Sequence, residues 1–179
     1  MAASFRFDPC PSCCELPPCD DLFSSLGDYT NDAHARVSVS GVTAIDCSAG
    51  NCADFSTPTD LAYYTKAQFA PPSPCYIYYR WLDTTTSFCG AVARRELGFS
   101  IWRDATQFRY EVGCDIKRVS DFQMNWNWLF RYTTTSLVPT SDFGSIPWTL
   151  ISCNVWGGSF PLPSWKCNCP TGVSVLWIP

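Results

Sequence analysis

The sequence predicts an all-β protein: an antiparallel β-sandwich, jelly-roll-like, of about eight strands, with an irregular cysteine-rich arm at its N-terminus. Three observations predict it. Apolar and polar residues alternate with period two in several separate stretches, a pattern that a strand sorts onto two faces and a helix scatters. The good helix formers Lys and Glu number only three each, while Thr, Ser, Asp, Pro, Gly and aromatic residues are plentiful. Turn clusters separate the alternating stretches, and no connection carries the helical period that a βαβ unit needs.

Residues 1–33 read as the arm. Cys10, Cys13, Cys14 and Cys19 stand among Pro9, Pro11, Pro17 and Pro18, and one short helical turn is expected near Asp21–Leu26. Residues 34–179 form the β domain. Ala35–Val42 alternates and opens it. After a loop with Cys47 and Cys52 come strands at Leu61–Phe69 and Tyr76–Leu82, divided by Pro71-Pro72-Ser73-Pro74. Thr84–Gly90 reads as a loop. Leu97–Arg103 and Gln107–Val112 flank the short connection Asp104-Ala105-Thr106, which predicts a hairpin. Phe122–Tyr132 is the clearest strand. Phe122, Met124, Trp126, Trp128, Phe130 and Tyr132 share one parity, and Gln123, Asn125, Asn127 and Arg131 share the other. Trp126 and Trp128 are therefore expected in the core. Trp148–Trp156 and Val173–Ile178 complete the eight.

The chain carries 12 cysteines, an even number that suits a full disulfide set: Cys10, Cys13, Cys14, Cys19, Cys47, Cys52, Cys75, Cys89, Cys114, Cys153, Cys167 and Cys169. Spacing does not dictate the pairing. Cys47 with Cys52 across their own loop, and the arm cysteines with Cys167, Cys169 or the loops, are the expected combinations. A thiolate zinc site is the rival reading, because Cys10-Pro-Ser-Cys13 has knuckle spacing and Cys167-Asn-Cys169 could add ligands. A second C-x-x-C is lacking, so no metal is assigned. Disulfides imply an oxidising, extracellular setting or a virion surface. Residues 1–18 do not read as a signal peptide, which suits thiols that oxidise on release of a virus particle.

Several function classes are disfavoured. The net charge is −4, and no basic run exceeds Arg94-Arg95, so nucleic acid is not an expected partner. No apolar run reaches the roughly 20 residues that span a bilayer. A nucleophile–histidine triad would have to use His34, the sole histidine, which no nucleophile motif accompanies. Glu96 and Glu111 are the best carboxylate candidates for glycoside chemistry, yet Arg94, Arg95 and Arg109 nearby account for them as ion pairs. Neither a catalytic set nor a cofactor is expected.

The aromatic surplus points to contact. On Tyr76–Leu82 both faces are aromatic or apolar, so one of them needs a cover beyond the core. Tyr63, Tyr64, Tyr78, Tyr79, Trp81 and Trp156 are the candidates for subunit contacts or for stacking on sugars. The reading that follows is a non-enzymatic structural component of an extracellular assembly. Its expected form is a bacteriophage capsid decoration or tail-surface protein whose partners are further copies of itself or other virion subunits. A secreted carbohydrate-binding module is the alternative.

Overall fold

The structure is a computed structural model. It describes residues 19–25, 34–42, 58–68, 75–84, 87–88, 91–104, 106–118, 124–155 and 168–179. A short helix, α1 (Asp20–Ser25), precedes the strands. These are β1 (His34–Ser40), β2 (Thr59–Gln68), β3 (Cys75–Asp83), β4 (Ser87–Phe88), β5 (Ala91–Arg103), β6 (Phe108–Arg118), β7 (Met124–Thr134), β8 (Thr149–Val155) and β9 (Gly172–Ile178). A 3-10 turn at Thr140–Ser145 connects β7 to β8.

All the expected strands are present, and every strand pairing is antiparallel. Their layering differs from the sequence expectation. The strands do not form two facing sheets; they lie in one curled sheet of order β8-β7-β6-β5-β3-β2-β1-β9, with the small β4 paired to β5. Alternation reports that one face is buried and does not report what buries it. Here the sheet buries that face against itself. Three strand spacings separate β3 from β9, about 14 Å on a flat sheet. Yet the Tyr79 and Trp177 ring centroids are 5.3 Å apart. Phe143 of the 3-10 turn fills the hollow. Its ring lies 5.5 Å from Phe99, 5.9 Å from Tyr110 and 6.1 Å from Trp177. The Tyr110 hydroxyl accepts the Val138 amide at 2.8 Å, which fixes the chain as it enters that turn. Burial pushes the Tyr110 phenol up to about 12, with the bond from Val138 partly opposing it.

The concave face carries the core. Val37, Leu61, Ile77, Tyr79, Phe99, Tyr110, Val112 and Trp128 are all buried there. Trp128 thus stands as its parity predicts, whereas the Trp126 side chain lies outside the described residues. The second aromatic face of β3 finds its cover on the sheet itself: Tyr76 stacks on Trp102 at 4.8 Å, and Tyr78 lies across the backbone of β5.

Two corners show local chemistry at work. Gly41 follows β1 with φ +75°, a conformation that glycine adopts without strain. A Cβ there would collide with Thr171, whose amide donates to Ser40 O and ties β9 to β1. In the β5–β6 hairpin, Asp104 Oδ1 accepts the amides of Thr106 and Gln107, each at 2.8 Å, and the Thr106 hydroxyl at 3.1 Å. Burial raises the Asp104 pKa, but these hydrogen bonds together outweigh it and hold the carboxyl below its ordinary value. Because the folded value is the lower one, this contribution is present above the unfolded aspartate pKa and fades as pH falls through the folded one. Asp104→Ala is expected to cost about 1 kcal/mol at neutral pH. Urea melts should show that cost shrinking in acid, below the ordinary aspartate range.

Candidate functional site

The convex face of the sheet carries a trough of about 420 Å³ across β5, β6, β7 and β8. Its origin is a pair of glycines. Gly98 and Gly113 stand directly opposite in the β5–β6 ladder; Gly98 makes room for the Tyr78 ring, and Gly113 leaves backbone bare where a side chain would otherwise project. Along this row Gly113 faces Leu129, which faces Ser152.

A polar wall stands on each side of the floor. One is a continuous cross-strand row in which Glu96 faces Asp115, Asp115 faces Asn127, and Asn127 faces Asn154. Asn154 Nδ2 donates to Asn127 Oδ1 at 2.9 Å. The other wall runs from Tyr78 through Ser100 and Glu111 to Arg131. Tyr78 spans the floor at one end. Its hydroxyl donates to Glu96 Oε1 at 2.7 Å, and its ring lies so close over Gly98 that a Cβ there would stand 2.6–2.8 Å from ring carbons. Burial, then the bond to Glu96, pushes the Tyr78 phenol well above its ordinary value.

The carboxylates are matched by cations. Glu96 pairs with Arg94 at 2.7 Å, and Asp115 with Lys117 at 2.7 Å. Glu111 lies 2.7 Å from Arg131 and 3.3 Å from Arg109. Arg109 also sits over Trp102, 4.7 Å from the ring centroid. Glu96 and Glu111 are ion-paired, but not by the cross-strand pairing expected: Arg94 and Arg109 each reach the acid two residues on along the same strand, and the cross-strand cation is Arg131. Arg95 has the opposite parity, reaches the concave side and pairs with Asp83 at 2.6 Å. Asp115 Oδ1 is buried and has no hydrogen-bond partner among the described residues.

The aromatic candidates divide by parity. Tyr64 is exposed, with the Arg80 guanidinium 3.4 Å from its ring centroid, and Tyr78 lines the trough. Tyr79 is fully buried, and Tyr63 and Trp81 pack against the core. Tyr79 is thereby corrected from a contact aromatic to a core residue, while Tyr63 and Trp81, paired in register with Tyr79 and Leu97 on the concave side, are half-buried at its margin. Trp156 lies outside the described residues.

Disulfides join Cys19 to Cys75 and Cys153 to Cys169. Cys114 is corrected from a disulfide candidate to a free, buried thiol. Its cross-strand neighbours are Leu97 and Trp128, so among the described residues no cysteine is within bridging reach in register. Burial pushes the thiol far up and leaves it inert. Cys10, Cys13, Cys14, Cys47, Cys52, Cys89 and Cys167, with the zinc alternative in the arm, lie outside the described residues. Among the described residues no cluster of His, Cys, Asp or Glu has the makings of a metal site, and no helix is long and apolar enough to cross a membrane. His34 is half-buried at the start of β1, paired with Ala62 and Ile178.

The trough residues other than Tyr78, Glu96 and Glu111 escape a reading by element. The Asp104 hairpin would have located them. Its register places residues outward in matched pairs, and one step past the pair Phe99 and Val112 brings Gly98 opposite Gly113. Compared with protein-family models, curated proteins and solved structures, the chain matches none.

Proposed function

We propose that this chain is a non-enzymatic, disulfide-stabilised structural subunit of an extracellular assembly, a virion surface protein in its simplest form, which joins further copies of itself through its sheet edges. The observation that carries the reading is β8. It ends the sheet, it contains no charged residue, and it exposes Leu150 and Ile151. β9, at the other end, is likewise uncharged and exposes Leu176. Edge strands of monomeric proteins are commonly protected by lysine, proline or a cover, because an apolar edge with unused backbone groups recruits another strand. Among the described residues neither outer edge has a pairing partner. A second copy adding its strand to β8 would satisfy those groups and cover both side chains. The disulfides suit an oxidising setting in which such an assembly persists.

Light scattering coupled to size-exclusion chromatography tests this. The oxidised protein is expected to elute with a mass that is a multiple of one chain and grows with concentration. Ile151→Lys is expected to move it to the mass of one chain, by placing a charge on the edge. A wild-type protein of single-chain mass at every concentration would overturn the proposal, as would a lysine variant that assembles like the wild type.

A further inference from the structure

We infer that the trough on the convex face is a binding site for a neutral saccharide, independent of the edge contacts. Three features specify that chemistry. The floor is bare backbone at Gly113, beside the Tyr78 ring that covers Gly98, and is open there where a side chain would block a ring from lying against the sheet. The two polar walls are four residues apart along each strand, about 13 Å between backbones. Their side chains narrow that gap, and the volume falls in the range of small-ligand sites.

The walls combine acceptors with groups that both donate and accept. One runs from the carboxylates of Glu96 and Asp115 to the amides of Asn127 and Asn154, the other sets the Ser100 hydroxyl beside Glu111, and the Ser152 hydroxyl ends the floor row. A sugar hydroxyl donates one hydrogen bond and accepts others, so vicinal hydroxyls match a wall of this kind. Asp115 Oδ1, lacking a partner, is an acceptor such a hydroxyl would satisfy.

Charge selects the ligand further. Each carboxylate already has its own cation in Arg94, Lys117, or Arg131 with Arg109. No carboxylate is left uncompensated to attract a cationic ligand; the one cation in excess, Arg109, lies over Trp102 and outside the trough lining, and the ion pairs hold the carboxylates in place as fixed acceptors. Tyr78 closes one end with an aromatic surface. Tyr64, in edge contact with it at 6.0 Å between centroids, extends that shoulder outward.

Soluble neutral tetrasaccharides of glucose, N-acetylglucosamine, xylose and mannose are titrated into the intact oxidised protein by calorimetry, with an anionic polyuronate as counter-probe. At least one neutral probe is expected to bind, with an affinity insensitive to salt and shifts at the Gly98 and Gly113 amides in the NMR spectrum. Asn154→Ala, at the exposed end of the wall, and Asp115→Asn are each expected to weaken binding about tenfold. Tyr64→Ala is expected to leave the trough occupied. Ile151→Lys is expected to bind as the wild type does, which separates this site from the assembly contact. The inference is overturned if no neutral probe binds at millimolar concentration, or if the polyuronate is preferred. Binding that survives both wall variants but is lost in Tyr64→Ala would overturn it too, since the ligand would then lie on a flat aromatic platform.

Discussion

Phe143→Ala is expected to destabilise the protein by about 3–5 kcal/mol, the range for removing a fully buried aromatic ring. Phe143 is completely buried and lies against Phe99 of β5, Tyr110 of β6 and Trp177 of β9. β5 and β6 pair directly, but β9 stands at the far end of the sheet order, so the cavity would open between parts of the sheet that no backbone ladder joins directly. Collapse to fill it would require the sheet to change curvature, which places the cost toward the upper end. Urea melts followed by tryptophan fluorescence measure it. Thr135→Ala, exposed after β7, should stay within about 0.5 kcal/mol. A Phe143→Ala protein as stable as that control would show that the 3-10 turn rests on the sheet without bracing it.

The second large effect concerns the bridge between α1 and β3. Cys19 and Cys75 are 56 residues apart in sequence, and closing a loop of that length restricts the unfolded chain by about 4 kcal/mol in the chain-entropy model. Both sulfurs are buried, and Leu22 one turn along α1 is fully buried as well, so the bridge also fastens an apolar plug over the core. The Cys19→Ala/Cys75→Ala double variant is expected to lose stability on that scale. Guanidinium melts of oxidised protein, after peptide mapping has verified the remaining linkages, give the figure. A loss below about 1 kcal/mol would mean that the unfolded chain is already held compact by other means.

Much of the strand content was legible because burial on one face leaves a period-two trace in each strand. The ends of β5 and β6 were not. Ala91–Glu96 and Gly113–Arg118 carry arginines, acids and glycine on the outward face, which reads locally as turn. The curl was illegible for a different reason. It depends on contacts such as Tyr79 with Trp177, between residues nearly a hundred positions apart, and alternation is identical for a strand facing a second sheet and one facing its own sheet bent round. The trough was half legible. Glu96 and Glu111 drew notice as charges, while the space between them comes from the two residues without side chains, which composition reads as mere flexibility. Of the aromatic candidates Tyr79 turned out to be core, because adjacent strand residues such as Tyr78 and Tyr79 point to opposite faces and sequence does not say which face is wet.

The bridge between Cys153 and Cys169 joins β8, at one extreme of the sheet order, to the segment that leads into β9 at the other. The first and last strands of an open sheet are thereby linked covalently, like the two ends of a bent spring held by a clasp. A tensile load that would peel the terminal strands apart must stretch a sulfur–sulfur bond before it can unzip the hydrogen-bonded ladder. The curvature that shelters the core is therefore set chemically at one corner, and under load it fails only after that clasp is reduced.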